Sequence, residues 1–385
     1  MTVLKGIRVL EFEAIGPGPF GGMLLADMGA DVLRVDRALA HQDLGSKSIS
    51  GKLVDVLGRS RRSVTLDLKQ ASAQAAALEL MSRADVVIEG FRPGVMERLG
   101  LGPAEALARN PKLVFGRMTG WGQTGPMAAR AGHDLNYVAL SGVLDSIGEA
   151  GGGPLPPLNL VGDFGGGGML LVMGILAALL NVHRGGAGQV VDAAMTEGSA
   201  QLGSMFWGLL ASGNWREERG SNILDGGAPW YCTYATQEGK YMSVGAIEER
   251  FYAELLAKLG LADAGLPAQH DRSGWPLLKQ RFTAVFLTRT RDQWTALFAD
   301  SDACVAPVLN LSEAPLHPHN RARASFVEVA GVMQPAPAPR FSATPSQVPR
   351  PAPDRGEHGE AALQDWGFDA KAIDALRAGG LGVSG

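Results

Sequence analysis

With 385 residues, 46% of them hydrophobic and 19% charged, the chain is long enough for two cores and ordinary for a globular protein. A net charge of −4 and a pI near 6.0 exclude the basic footprint of a nucleic-acid binder. Two cysteines, Cys232 and Cys304, are too few for a disulfide framework or a cysteine-rich metal centre and suit a reducing compartment.

Met1-Thr2-Val3-Leu4-Lys5-Gly6 passes into a strand pattern without an apolar signal region. Strands are expected at 7–12, 31–35, 63–68, 85–89 and 113–118, with helices at 20–28 and 71–83. Such alternation predicts a mostly parallel α/β sheet. The longest apolar run, 165–180, is slightly short for a membrane span, which needs ~20 residues. It is glycine-rich and starts beside Asp163, so it reads as a buried helix. A strand at 189–193 and a Met- and Trp-rich helix at 196–212 follow.

The character changes after Asp225-Gly226-Gly227. Residues 231–236 and 241–244 predict a β-hairpin around Glu238-Gly239. Helices follow at 249–259 and 291–299, the latter with Thr290 as N-cap. This divides the chain into a large domain, 1–215, a small α+β domain, 216–330, and a C-terminal segment, 331–385, that returns to the large domain. Residues 333–353 are proline-rich and read as extended, and short helices are expected at 361–363 and 370–376. The C-terminal Leu381-Gly382-Val383-Ser384-Gly385 is not a peroxisomal address. The expectation is a cytoplasmic protein with no nucleic-acid or membrane partner.

Gly16-Pro17-Gly18-Pro19-Phe20-Gly21 matches the dinucleotide fingerprint, with Asp36 following at suitable distance. That motif offers backbone N–H groups to a pyrophosphate, and Pro17 and Pro19 have none. A tight strand-to-helix turn is the better account.

Other residues carry more chemistry. His133 and Asp134 follow Ala131-Gly132 and precede a stretch, 135–143, that looks helical. Histidine titrates near neutrality and can act as acid or base; the plainer account is a histidine at a helix start with Asp134 as first-turn charge. Asp163 precedes four glycines, 165–168, each costing about 1 kcal/mol in a helix relative to alanine. Close approach of a ligand, or tight helix packing, must account for them. Glu248 ends the second hairpin strand, either as a solvated charge beside Glu249 and Arg250 or as an orienting partner for a histidine. Arg37, Lys69, Arg92 and Arg98 fall near the C-terminal ends of predicted strands, where open α/β sheets bind ligands, and together suit phosphates. His317-Pro318-His319 has no acidic or thiol partner at ligand spacing, so no metal is expected.

Leu4 to Glu11, Met23 to Val32, Gly90-Phe91-Arg92-Pro93-Gly94 with Glu97-Arg98-Leu99-Gly100, and Thr119 to Pro126 resemble the class III CoA-transferase family. Gly132-His133-Asp134, Asn159 to Asp163 and Gly245-Ala246-Ile247-Glu248 resemble its α-methylacyl-CoA racemase branch. One departure is the segment 38–57, longer and more polar than in that branch. The resemblance implies an interlocked homodimer of Rossmann-like large domains and small α+β domains, with a site shared between subunits. The substrate would be an acyl-CoA, with no cofactor beyond it and no metal. Arg37, Leu66, Asp67, Leu68, Lys69, Gly90, Phe91, Arg92, Arg98, Gly132, Leu135, Asn136 and Tyr137 would line the CoA channel. His133, oriented by Glu248, and Asp163 would exchange the α-proton of a 2-methylacyl-CoA through an enolate. N–H groups at the start of the 165–180 helix would hold the enolate oxygen. Asp134 corresponds to the acyl-accepting nucleophile of the transferases, which makes a CoA transferase the alternative.

Overall fold

The structure, a computed structural model, describes residues 1–37 and 54–378. The polar insertion expected at 38–57 therefore lies largely outside the described residues, as do residues 379–385. The chain divides into two compact units. One comprises the described residues of Met1–Ser141, Leu158–Leu202 and Arg323–Gly385; the other comprises Gly142–Pro157 and Gly203–Ala322.

The first unit is built on six strands: β1 (Arg8–Phe12), β2 (Asp31–Arg37), β3 (Arg62–Leu66), β4 (Val86–Glu89), β5 (Val114–Thr119) and β6 (Gln189–Ala194). All pair in parallel, in the order β3-β2-β1-β4-β5-β6. Their residues alternate between two apolar layers. Val9, Val86 and Ile88 enter one core, and Leu10, Phe12 and Val87 enter the other. A strand covered on both faces carries consecutive apolar residues, as in Val86-Val87-Ile88 of β4, and such stretches stand out in the sequence.

Helices α1 (Pro17–Asp27), α2 (Ala71–Ser82), α3 (Val95–Arg98), α4 (Pro103–Arg109) and α5 (Asp134–Leu140) connect the strands. The apolar run beyond Asp163 differs from expectation. Its helix starts at Leu160 as a π-helix through Met169 and continues as α6 (Leu170–His183). At 24 residues it is long and apolar enough to cross a membrane by length and composition. It is not fully buried. Leu171, Val172, Ile175 and Ala178 face the sheet core, while Met169, Met173 and Leu180 are exposed.

Packing explains the glycine run. A Cβ on Gly166 would lie 2.6 Å from the Ser199 nitrogen, and one on Gly198 would lie 1.9 Å from the Gly166 carbonyl oxygen. Gly198 belongs to α7 (Met195–Leu202), so the two backbones touch with no side chain between. Gly203 separates α7 from α8 (Ser204–Ala211), dividing what reads in sequence as one helix.

In the second unit, α8 is followed by an antiparallel sheet of β7 (Tyr231–Ala235), β8 (Tyr241–Gly245) and β9 (Val305–Pro307). The helices α9 (Glu249–Leu259), α10 (Trp275–Phe286) and α11 (Arg291–Phe298) cover it around Trp230, Tyr234, Phe282 and Trp294. Thr290 caps α11 as expected: its Oγ1 accepts the Gln293 N–H at 3.2 Å. The expected hairpin gains β9 from residues distant in sequence. After α12 (Pro318–Ala322) the chain rejoins the first unit through a hairpin, β10 (Phe326–Val329) and β11 (Val332–Pro335), that interrupts the expected extended stretch. The terminal helices α13 (Gly359–Asp365) and α14 (Ala370–Ala378) place Leu363 and Trp366 in the sheet core.

Under α1 lies a fully buried ion pair, Arg61 Nε to Glu11 Oε2 at 2.5 Å. Arg61 also donates to the Pro19 and Leu57 carbonyl oxygens. Removing one member of such a pair strands a charge in the interior. Arg61→Met should therefore destabilise the first unit by roughly 3–5 kcal/mol, read from its denaturant midpoint. Glu11→Leu combined with Arg61→Met should recover most of the loss.

Candidate active site

The strand order reverses between β1 and β4, and the connections from their C-terminal ends diverge. An open sheet leaves a crevice at such a point. Ala14 and Ile15, just past β1, and Gly90 and Phe91, just past β4, line two cavities at once. One cavity is about 540 Å³ and the other about 640 Å³, and they meet over these four residues.

His133, Asp134 and Asp163 line the smaller cavity together. His133 is the N-cap of α5, with its N–H on Asn136 Oδ1 at 3.0 Å and its side chain exposed. Asp134, in the first turn, is buried. Its Oδ1 accepts the Asp163 N–H at 2.6 Å, and its Oδ2 is buried without a partner among the described residues. Asp163 is half-buried inside the π-helix, and its Oδ2 accepts from Asn159 Nδ2 at 3.1 Å. Gly16, at φ +72°, brings the turn before α1 against the same carboxylate, where a Cβ would sit 3.1 Å from Oδ2.

Burial pushes the Asp163 carboxyl above its ordinary range, and the charge of Asp134 adds to this. The Asn159 hydrogen bond and the neighbouring His133 oppose it. The outcome is a carboxyl that holds a proton more readily than a free aspartate, close to an imidazole. Tyr137 closes the wall: its hydroxyl donates to the Gly132 carbonyl oxygen, and its ring meets Trp121 edge-on at 4.7 Å.

The larger cavity is lined by Arg37, Leu66, Asp67, Leu68 and Lys69. Among the described residues, the charged ends of Arg37, Lys69 and Arg92 have no hydrogen-bond or ion-pair partner. Two of the carboxylates nearby are already paired, Asp36 with Arg34 at 2.8 Å and Glu13 with Arg355, while Asp67 accepts the Lys69 N–H at 3.1 Å. The buried Glu89 fixes the shared turn by accepting the Phe91 N–H at 2.7 Å and Arg117 Nε at 2.7 Å. The result is a cavity with unspent positive charge beside one with an acid–base pair.

Residues 4–359 match the model of CoA-transferase family III. The chain belongs to that family. It is similar to the α-methylacyl-CoA racemase of Mus musculus, 48% identical over 96% of this chain and 95% of that protein. The α-methylacyl-CoA racemase of Homo sapiens is 45% identical, covering 97% and 96%. A CAIB/BAIF family protein from Brucella suis has a crystal structure that superposes with a TM-score of 0.80 at 26% identity, covering 95% of this chain and 99% of that one.

Against this family background, the expected CoA-lining residues separate into three groups. Arg37, Leu66, Asp67, Leu68, Lys69, Gly90 and Phe91 line the larger cavity. Arg92, Gly132 and Tyr137 line the smaller one with His133, Asp134 and Asp163. Arg98, Leu135 and Asn136 line neither: Arg98 ends α3, Leu135 is exposed, and Asn136 is spent on the His133 cap. Glu248 is in the second unit, an exposed N-cap of α9 three residues past the end of β8, rather than the end of that strand.

The glycines after Asp163 do not supply free donors. They lie inside the π-helix, where Phe164 N already donates to the Asn159 carbonyl oxygen, so their N–H groups belong to the helix. The N–H groups of Asp134 and Leu135, in the first turn of α5, have no partner among the described residues. Ala14, Ile15, Trp121, Asn159 and Met195 complete the walls, and of these only Ala14 and Ile15 lie outside the stretches and methionines that the sequence brings forward. For Ala14 and Ile15, position just past the first strand is the available signal.

Titration of labelled aspartate by NMR checks the electrostatics. Asp134→Asn removes a like charge and keeps an oxygen for the Asp163 N–H, so the Asp163 carboxyl should titrate at lower pH. Asn159→Leu removes a hydrogen bond to the charged form, so it should titrate at higher pH.

Proposed function

We propose that this protein interconverts the (2R) and (2S) forms of 2-methylacyl-CoA thioesters by moving the α-proton through an enolate. One observation carries the proposal: His133 and Asp163 line the same cavity, and burial keeps the Asp163 carboxyl inclined to hold a proton. The names of the mouse and human relatives support the same reaction.

A thioester α-proton is weakly acidic, so removal needs a positioned base, and inversion needs a second group on the opposite face. His133 and Asp163 take these roles and exchange them for the opposite stereoisomer. Groups of this kind each contribute roughly 10²–10⁴-fold. The enolate oxygen needs donors already in place, and the free first-turn N–H of Asp134 and the unpartnered Trp121 Nε1 are donors among the residues of this wall. Arg37, Lys69 and Arg92 attract the phosphates of CoA. The chemistry requires no group beyond the CoA of the substrate.

The proposal includes a homodimer in which Glu248 of a second copy orients His133. Support comes from the apolar stripe of Met169, Met173 and Leu180, exposed along one helix. The cytoplasm suits the two free cysteines, Cys232 and Cys304.

In deuterated solvent, a single-isomer 2-methylacyl-CoA should acquire deuterium at the α-carbon while both isomers accumulate, followed by NMR. His133→Ala and Asp163→Asn should each slow exchange roughly 10²–10⁴-fold. A transferase would instead pass CoA to a free acid and leave a trappable acyl group on Asp134 without α-exchange; that outcome would sink the racemase proposal.

Mixing His133→Ala chains with Glu248→Ala chains tests the shared site. If each site draws on both subunits, a mixed dimer contains one intact site and recovers activity. If each chain supplies its own Glu248, every site stays broken and the mixture remains inactive.

A further inference from the structure

The C-terminal segment returns to the open end of the CoA-side cavity and makes a set of polar contacts that the proton-transfer chemistry does not use. Arg355 Nη1 donates to Glu13 Oε2 at 2.6 Å and to the Arg37 carbonyl oxygen at 3.1 Å, while Arg355 Nη2 pairs with Glu13 Oε1. Glu13 Oε2 also accepts the Arg37 N–H at 2.8 Å. One carboxylate and one guanidinium thus grip both sides of the Arg37 backbone.

The neighbouring residues hold the grip in place. Gly356 N donates to Ser63 Oγ at 2.7 Å, and Ser63 Oγ donates to the buried Asp36. His358 N donates to the Ser63 carbonyl oxygen at 3.1 Å. Glu13 lines the cavity; Arg355 does not. Burial alone would push the Glu13 carboxyl up, but the Arg355 hydrogen bond and the Arg37 N–H outweigh it and bring it below the usual range. Glu13 is therefore charged at neutral pH, in the wall of a cavity that also presents Arg37, Lys69 and the carboxylate of Asp67, which accepts the Lys69 N–H at 3.1 Å.

We infer that Arg355 is a positioning residue for the phosphorylated nucleotide end of CoA, cancelling the Glu13 charge and aiming Arg37 into the cavity. The inference rests on the CoA-thioester reading above and adds to it a residue that touches no reacting atom. Without Arg355, an uncompensated carboxylate faces the phosphates and Arg37 loses one of its anchors. Both effects oppose the nucleotide and leave the pantetheine arm and acyl group untouched.

Calorimetric titration with CoA and with pantetheine, which lacks the nucleotide, tests this directly. Arg355→Met should weaken CoA binding about tenfold and leave pantetheine binding unchanged. The CoA loss should shrink as salt is raised. Glu13→Gln, which keeps an acceptor for the Arg37 N–H but removes the charge, should restore most of the CoA affinity when added to Arg355→Met. Unchanged CoA affinity in Arg355→Met, or equal losses for CoA and pantetheine, would overturn the proposal while leaving the CoA reading intact. Failure of the unaltered protein to bind CoA would remove that reading, and the proposal with it.

Discussion

The divergence of β1 and β4 is the constraint on which the rest depends. Parallel strands need crossover connections, and where successive crossovers pass to opposite sides of a sheet no helix can cover the gap. Here the gap is edged by Ala14–Ile15 and Gly90–Phe91, and both cavities open from it. Polar groups that line the two cavities reach that edge on strand ends, helix starts and a glycine-rich helix. His133 and Asp134 begin α5, Arg37 ends β2, and Asp163 rides on a helix whose glycines let it press against α7.

Charge around the crevice is arranged by pairing rather than by composition. The chain is acidic overall, yet Asp36, Glu13 and Glu89 are each engaged by an arginine, leaving Arg37, Lys69 and Arg92 free to attract an anion. Burial then treats the remaining carboxylates differently. Asp134 gives one oxygen to a backbone N–H, and its charge helps Asp163 to keep a proton. Two carboxyl groups close in space thereby acquire distinct surroundings.

Much of this was legible in the sequence because it is local. Strands covered on both faces appear as apolar runs, Thr290 announces α11, and His133, Asp134 and Asp163 stand out against glycine-rich surroundings. What could not be read depends on contacts between distant segments. The helix around Asp163 begins five residues earlier than its apolar run because the π-turns are held by α1 and α7. For the same reason the glycines, which suggest ligand approach, serve mainly helix packing. The third strand of the small sheet, β9, is three residues long and is recruited by β8 from far along the chain. Arg355 lies just past the proline-rich stretch, where no periodic signal runs, so its partner Glu13 could only be found in three dimensions.

The grip between Glu13 and Arg355 joins residues 342 positions apart. A ribosome delivers the first strand long before the segment that completes its binding edge, and contacts of such separation close late. A nascent chain would therefore carry a nearly finished sheet while the charge of Glu13, in the wall of the larger cavity, stays unpaired until Arg355 has been made. Truncation before Arg355 would leave His133, Asp134 and Asp163 in place and the Glu13 carboxylate without its arginine.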